Sequence, residues 1–366
     1  MRKSVSCLFA FGLVLLLGSG AASAQFMASE LAYIPGAAHN DGANGSHWRT
    51  DVFITNVDTV PVDVALFFLP SGTNGNWAYF QDRQYGFGGR SDEGWGHVDE
   101  SLADIPPGGT VTLEDVIAHP DSNGNTWIND YSTLANVGAI VVFAYEAGTL
   151  DSDGGPTYRN VVVMSRTYSE STDGTYGQLM PGVPWYNLAD ASAVNDQHDL
   201  SYLLLPGARD DDTYRYNLGI LNTSDAQTSI RVKIEVFKAD GTAYTDDTGA
   251  ALAKVATLGP LAHLQLNGVL SSSFGLSNVQ NVLVRVLFLS WTSSSPDPVP
   301  TFTAYGTLID NRTNDATTIL PSFGFPYDVN CVWGSGTGAT ASSLSMAHTG
   351  EGFPRMRRRP VNVPPR

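Results

Sequence analysis

Ile34-Pro35-Gly36-Ala37, a polar loop, then Arg49-Thr50-Asp51-Val52-Phe53-Ile54-Thr55-Asn56; and again Leu205-Pro206-Gly207-Ala208, a shorter loop, then Arg215-Tyr216-Asn217-Leu218-Gly219-Ile220-Leu221-Asn222: the chain carries this stretch twice. The match extends beyond the motif in both copies. Val62, Val64, Leu66 and Phe68 alternate with other residues, and so do Ile230, Val232, Ile234 and Val236. Alternation at period two marks a strand with one buried face. Pro107, Val111 and Leu113 then answer Pro260, Leu264 and Leu266 without a gap. Apolar runs come next, at 139–145 and 282–288. Each copy closes with a strand, a polar turn and a short apolar exit, at 161–181 and 301–321. Matching blocks in one order imply an internal duplication, and the period is long enough for each copy to be a whole domain.

Strands at short intervals, turn residues between them and little helical periodicity predict an all-β fold. The expectation is two tandem immunoglobulin-like β-sandwich domains related by internal duplication, with jelly-roll sandwiches as the alternative. The predicted division is a signal peptide at 1–24, a first domain at 27–182 and a linker at 183–200. A second domain at 201–328 and a basic, disordered tail at 334–366 complete the chain. Short helical turns are predicted at Glu114–Ala118, Asn129–Leu134 and Val269–Phe274.

The blocks Arg49-Thr50-Asp51 with Asn56, Pro106 to Thr110, Ser165 to Tyr168 with Gly174 to Gln178, Arg215 to Asn222 and Ile309 to Thr313 resemble a secreted bacterial β-domain repeat. The resemblance covers about 33–321. It implies export and a pair of β-sandwiches, and it carries no catalytic residue over.

Met1-Arg2-Lys3, an apolar run from Leu8 to Leu17 and Ala22-Ser23-Ala24 have the form of a secretory signal cleaved near Ala24. Its apolar run is too short to span the ~30 Å of a bilayer core. No later stretch is long and apolar enough, so the mature chain is expected outside the cytoplasm, extracellular or periplasmic, with no transmembrane segment. Of the 2 cysteines, Cys7 lies in the leader, which leaves Cys331 alone. Cys331 is then a buried small residue or a thiol able to join two chains as a dimer. The formal net charge is -16, although the leader carries Arg2 and Lys3 and the tail is rich in arginine. So acidic a body repels nucleic acid.

Between Pro35 and Ile105 the first copy is longer than the second. The extra residues, about 77–97, are rich in aromatic residues and glycine. Rings on glycine-rich backbone are expected to project as a hairpin or loop, and Trp77, Tyr79, Tyr85 and Trp95 are the candidate ligand-contacting residues. The alternative is that the rings cover a sheet face or an edge. Asp121, Asn123 and Asn125 have the D-x-N-x-N spacing of a calcium loop, without its glycine and glutamate. Calcium is therefore the candidate cation; turn chemistry is the competing reading, and no other cofactor is expected. His39 and His47 flank the loop 40–46 and are a weaker metal pair. Arg49 and Arg215, like Asn56 and Asn222, hold the same place in both copies, which argues for a structural task such as tying a strand end to backbone carbonyls.

No nucleophile elbow, metalloprotease helix or phosphate loop occurs in the sequence. The expected function is a secreted, non-enzymatic adhesion, surface or interaction module. A carbohydrate-binding protein using the 77–97 insertion is the alternative, and a secreted hydrolase the second alternative. The expected partners are an extracellular glycan or a surface protein.

Overall fold

The computed structural model describes residues 27–190 and 201–324, apart from 43–44, 73, 81, 131–135, 153–154, 172–173, 225–226 and 296–298. The leader, most of the predicted linker, Cys331 and the arginine-rich tail lie outside the described residues.

The alternating apolar positions of the sequence become paired strands. In the first half these are β1 (Leu31–Ala38), β2 (His47–Asn56), β3 (Val62–Pro70), β4 (Gly86–Gly88), β5 (Thr110–Leu113), β6 (Val137–Glu146), β7 (Val161–Ser171), β8 (Gly174–Pro181) and β9 (Val183–Pro184). In the second half they are β10 (Tyr202–Asp210), β11 (Tyr214–Asn222), β12 (Thr228–Phe237), β13 (Ala253–Leu258), β14 (His263–Leu266), β15 (Val279–Ser293), β16 (Thr301–Asp310), β17 (Ala316–Ile319) and β18 (Ser322–Gly324). Among the described residues α-helix is confined to short turns, α1 (Trp77–Phe80), α2 (Trp127–Asp130) and α3 (Val269–Phe274), beside a few 3-10 turns. Residues 114–118 form hydrogen-bonded turns rather than the predicted helical turn. No helix among the described residues is long and apolar enough to cross a membrane.

Each half is a sandwich of two sheets. In the first, β9-β1-β6-β3-β4 faces β8-β7-β2, with β5 beside β2; in the second, β18-β10-β15-β12-β13 faces β17-β16-β11-β14. The two orders correspond, except that at one edge β4 of the insertion takes the place that β13 holds in the second half. The all-β sandwich class expected from the sequence is the one observed. Its path places β1 and β2 in opposite sheets, whereas the immunoglobulin order has its first two strands in one. The first core joins Ile34, Val64, Leu66 and Ile140 to Val52, Ile54 and Val163 of the facing sheet. The second joins Leu203, Val232 and Val284 to Tyr216, Leu218, Ile220 and Phe302.

The twice-repeated Pro-Gly makes the same device in both halves. Pairing of β1 with β6 shifts register between Ile34 and Ala37, and pairing of β10 with β15 shifts between Leu205 and Ala208. Proline has no N–H to give the ladder, so a bulge at this point is the natural outcome.

The halves differ in what covers the outer sheet. All nine residues of β3 are buried. Val62, Val64, Leu66 and Phe68 face the sandwich core; Ala65, Phe67 and Leu69 belong to a separate cluster with Phe80, Trp95, Phe143 and Tyr145. The insertion supplies the lid of that cluster, forming an additional layer on the sandwich. The same cluster takes in Leu188, Leu221 and Leu261, so it continues into the second half.

Polar groups fasten this layer. The buried Asp63 carboxylate accepts hydrogen bonds from Arg90 Nε at 2.6 Å and from the Asp104 and Gly148 N–H groups at 2.7 and 2.8 Å. Buried Glu93 accepts from Trp95 Nε1 at 2.9 Å and from the Tyr145 hydroxyl at 2.7 Å. At the head of the insertion, Asn76 Nδ2 donates to the Leu261 carbonyl at 2.8 Å, and Asn76 N–H to the Pro260 carbonyl at 2.9 Å. The insertion therefore docks on the second half as well as the first. The expected projecting hairpin is corrected: Phe80, Phe87 and Trp95 turn inward and Trp77 and Tyr85 are half-buried, because β3 and β6 present an apolar outer face to cover.

Residues 183–190, expected as linker, are also built in. Val183–Pro184 pairs with β1, and Ala189–Asp190 pairs with β16 of the other half.

Candidate binding cleft

The bulge of β1 carries Gly36 up to the second half, and the junction leaves a cleft of about 560 Å³. That volume lies in the range of small-ligand sites. One wall is Gly36 to Ala38, Trp48 of β2 and Gln178 of β8. The other is Arg215 and Asn217 of β11, Gln265 of β14 with Asn267 and Gly268 of the turn after it, and Tyr305 and Thr307 of β16.

Tyr305 is the post between the walls. Its ring lies against Gly36 on one side and Gly219 on the other; a Cβ on these residues would stand 2.6 and 2.0 Å from its atoms. Its hydroxyl donates to Gln265 Oε1 at 2.7 Å and lies 3.3 Å from Nε2 of His263. His263 is fully buried, and burial pulls its pKa down to about 4. It is therefore neutral near pH 7 and serves as a core imidazole stacked parallel to the Tyr305 ring. Its carbonyl accepts from Ser71 Oγ and Gly72 N–H of the first half.

Side-chain amides supply polar groups to the cleft. Gln265 Nε2 donates to Asn267 Oδ1 at 3.3 Å, and Asn217 Oδ1 accepts from Gly268 N–H at 2.9 Å. Gln178 spans the halves, donating to Thr307 Oγ1 at 3.3 Å and accepting from Thr318 Oγ1 at 2.8 Å. Trp48 is half-buried at the rim.

Arg215 is the one charged side chain among the described residues that line the cleft. Its Nη1 and Nη2 donate to Asn311 Oδ1 at 2.9 Å and Asn314 Oδ1 at 3.1 Å, both neutral amides. Burial draws its pKa below the usual arginine value, and nearby Asp310 offsets this in part. The described lining holds no carboxylate, imidazole, amine or thiol.

The residues singled out in the sequence lie elsewhere, apart from Arg215. Trp95 is 6% exposed, with its N–H bound by Glu93 and the Arg83 guanidinium over its ring. Trp77 and Tyr85 are half-buried; the side chain of Tyr79 lies outside the described residues. Asp121 Oδ1 accepts the N–H groups of Asn123 and Asn125, both at 2.8 Å, and its Oδ2 lies 3.4 Å from His97 Nδ1. Its carboxylate thus organises a turn, with Asn125 Nδ2 also donating to Asp121 Oδ2 at 3.4 Å; Asn123 and Asn125 are exposed. His39 and His47 are taken separately, by Asp115 and Asp41. Among the described residues no group of three His, Cys, Asp or Glu side chains is placed to hold a metal.

The repeat residues act on backbone and turns. Asn56 Nδ2 donates to the Val60 and Ile105 carbonyls, and Asn222 Nδ2 to those of Thr228, Leu258 and Gly259. Each Oδ1 accepts the N–H two residues on, from Asp58 and from Ser224. Arg49 donates to the Trp48 carbonyl and reaches Asp115 at 3.3 Å.

The signal for the cleft was a difference between the copies. Where the first has Phe53, the second has Gly219, and this glycine makes room for Tyr305. No family model, curated protein or solved structure matches the chain.

Proposed function

We propose that the chain is an exported, non-enzymatic binding protein, an extracellular interaction module made by duplication of a β-sandwich. Its ligand site is the cleft between the halves, and the ligand class is a glycan. The observation that carries this is the cleft lining: a tryptophan at the rim and side-chain amides contributed by both halves. Aromatic faces stack on sugar rings, and amides both give and accept hydrogen bonds with hydroxyls. The described lining holds no carboxylate, imidazole, amine or thiol, which favours holding a ligand over transforming it. The leader supports export, and the matching strand orders of the halves support duplication.

The mature chain is to be tested on glycan arrays and in pull-downs with insoluble polysaccharides. Binding should be lost in Trp48→Ala at unchanged melting temperature and retained in Trp77→Ala. Loss in Trp77→Ala with retention in Trp48→Ala would move the site to the insertion. Absence of glycan binding by the wild type would leave adhesion to a surface protein as the better reading.

A further inference from the structure

A single cation stands in a neutral cleft of an otherwise acidic protein. The formal charge is -16, yet the only charged side chain among the described residues lining the cleft is Arg215. Arginine has five N–H donors in a fixed fork. Two go to the neutral amides of Asn311 and Asn314, which orient the guanidinium, while Asp310 acts on it only at range. Many half-buried arginines are matched by a carboxylate, as Arg90 is by Asp63 and Arg285 by Glu235. The hydrogen-bond partners seen for Arg215 are amide oxygens; Asp310 acts on it at range without a direct ion pair, so its fork is not closed by a carboxylate.

From this geometry we infer that the cleft takes a glycan bearing an isolated uronic acid residue, with Arg215 holding the carboxylate. Trp48 supplies a face for a sugar ring, and Asn217 and Gln265 supply hydroxyl contacts. The inference rests on the reading of the cleft as a glycan site and narrows it. One cation calls for one carboxylate. A dense polyanion would be repelled by the acidic body at range, so the fitting ligand alternates uronic and neutral sugars. Charge-assisted, bidentate pairing is what an arginine fork offers a carboxylate and cannot offer its ester.

The probes are a disaccharide of glucuronic acid and a neutral hexose, its methyl ester and the matching neutral disaccharide, titrated calorimetrically into the mature protein. The acid should bind about tenfold to a hundredfold more tightly than the ester, as expected when a charge-assisted hydrogen bond is lost. In Arg215→Gln the acid should fall to the level of the ester. Where that variant melts too low to use, the wild-type comparison of acid with ester decides alone. Equal affinity for acid and ester overturns the inference while leaving the glycan reading intact. So does a C-terminal dipeptide that binds as tightly as the acid disaccharide, which would make the site a seat for peptide carboxylates. No binding of any of the three sugars, together with blank glycan arrays, overturns both.

Discussion

The ring of Tyr305 rests directly on Gly36: a Cβ at that position would lie 2.6 Å from both Cζ and the hydroxyl oxygen. The contact joins a bulge of the first sandwich to a central strand of the second, beside the cleft. Gly36 and Gly207 hold the same place in the repeated motif but serve different ends. Gly207 has φ of 79° and open space around it, whereas Gly36 is needed for close approach.

The two glycines should therefore fail differently. Gly36→Ala is expected to cost about 1–3 kcal/mol by overpacking. Gly207→Ala should cost roughly 1–2 kcal/mol through left-handed backbone. Combining each with Tyr305→Leu separates the causes in urea unfolding. The Gly36 double mutant should recover part of its loss, and the Gly207 double mutant should be additive. Additivity in both would show that Tyr305 is not what Gly36 accommodates.

Asn56 and Asn222 are amides that close the same strand end in each half, both wholly buried. Replacing either with alanine leaves two or three buried carbonyls without a donor, at about 1–3 kcal/mol for a group left unsatisfied. Asn222 serves one carbonyl more, so Asn222→Ala should be the more damaging. A melting temperature unchanged in either variant would contradict this structural role.

Asp99 and His119 form an ion pair at 2.8 Å. The hydrogen bond from His119 is the largest cause holding Asp99 at about 2, below the ordinary 3.8, and the bond to Asp99 likewise raises His119 above 6.5; burial opposes both shifts. A lowered carboxyl stabilises the fold above 3.8 and loses that contribution as pH falls towards 2. A raised imidazole stabilises it below 6.5 and loses that contribution as pH rises through its folded pKa. The pair thus contributes most between these limits. His119→Gln should lower stability by about 0.5–1.5 kcal/mol at pH 5, and by less at pH 8. Equal losses at the two pH values would mean that the charge on His119 is irrelevant.

The sandwich was legible in the sequence because one face of each strand is apolar in both copies. Ile230, Val232, Ile234 and Val236 say the same thing as Val62, Val64, Leu66 and Phe68. The additional layer was written on the other face: Ala65 and Phe67 stand where the second copy has Lys233 and Glu235. That contrast signals a covered sheet, but the glycine spacing of 77–97 reads as projection, since spacing carries no record of what a ring packs against. The cleft was less legible still. Its residues come from β1, β2, β6, β7, β8, β11, β14 and β16, and only the register of two sandwiches brings them together. Arg215 was visible as a repeat residue, but the neutrality of its surroundings was not.

The insertion gives the last prediction. Trp95 and Phe80 sit in one cluster with Phe67, Phe143 and Tyr145, at ring-centroid distances of 5.7 Å for Trp95–Phe67 and 4.8 Å for Phe80–Phe67. Trp95 also closes the site of Glu93, whose pKa burial raises. Trp95→Ala or Phe67→Ala should cost about 3–5 kcal/mol, as for large core rings. Removing 77–97 would uncover the outer face of β3 and β6 and also release Arg90 from Asp63. A buried carboxylate stripped of its partner costs about 3–5 kcal/mol by itself. The deleted chain is therefore expected to aggregate or to melt far below the wild type. A deletion variant that remains monomeric with most of its stability would show that the rings are ornament rather than core. A finer test is Glu93→Gln. A carboxyl with a raised pKa stabilises the fold below its unfolded value and loses that contribution as pH rises through the folded one. Relative to the wild type, Glu93→Gln should gain stability on going from pH 5 to pH 9, because the neutral amide can still accept from Trp95 and Tyr145. A relative loss over that range would place the charged form of Glu93, and not the neutral one, in the folded protein.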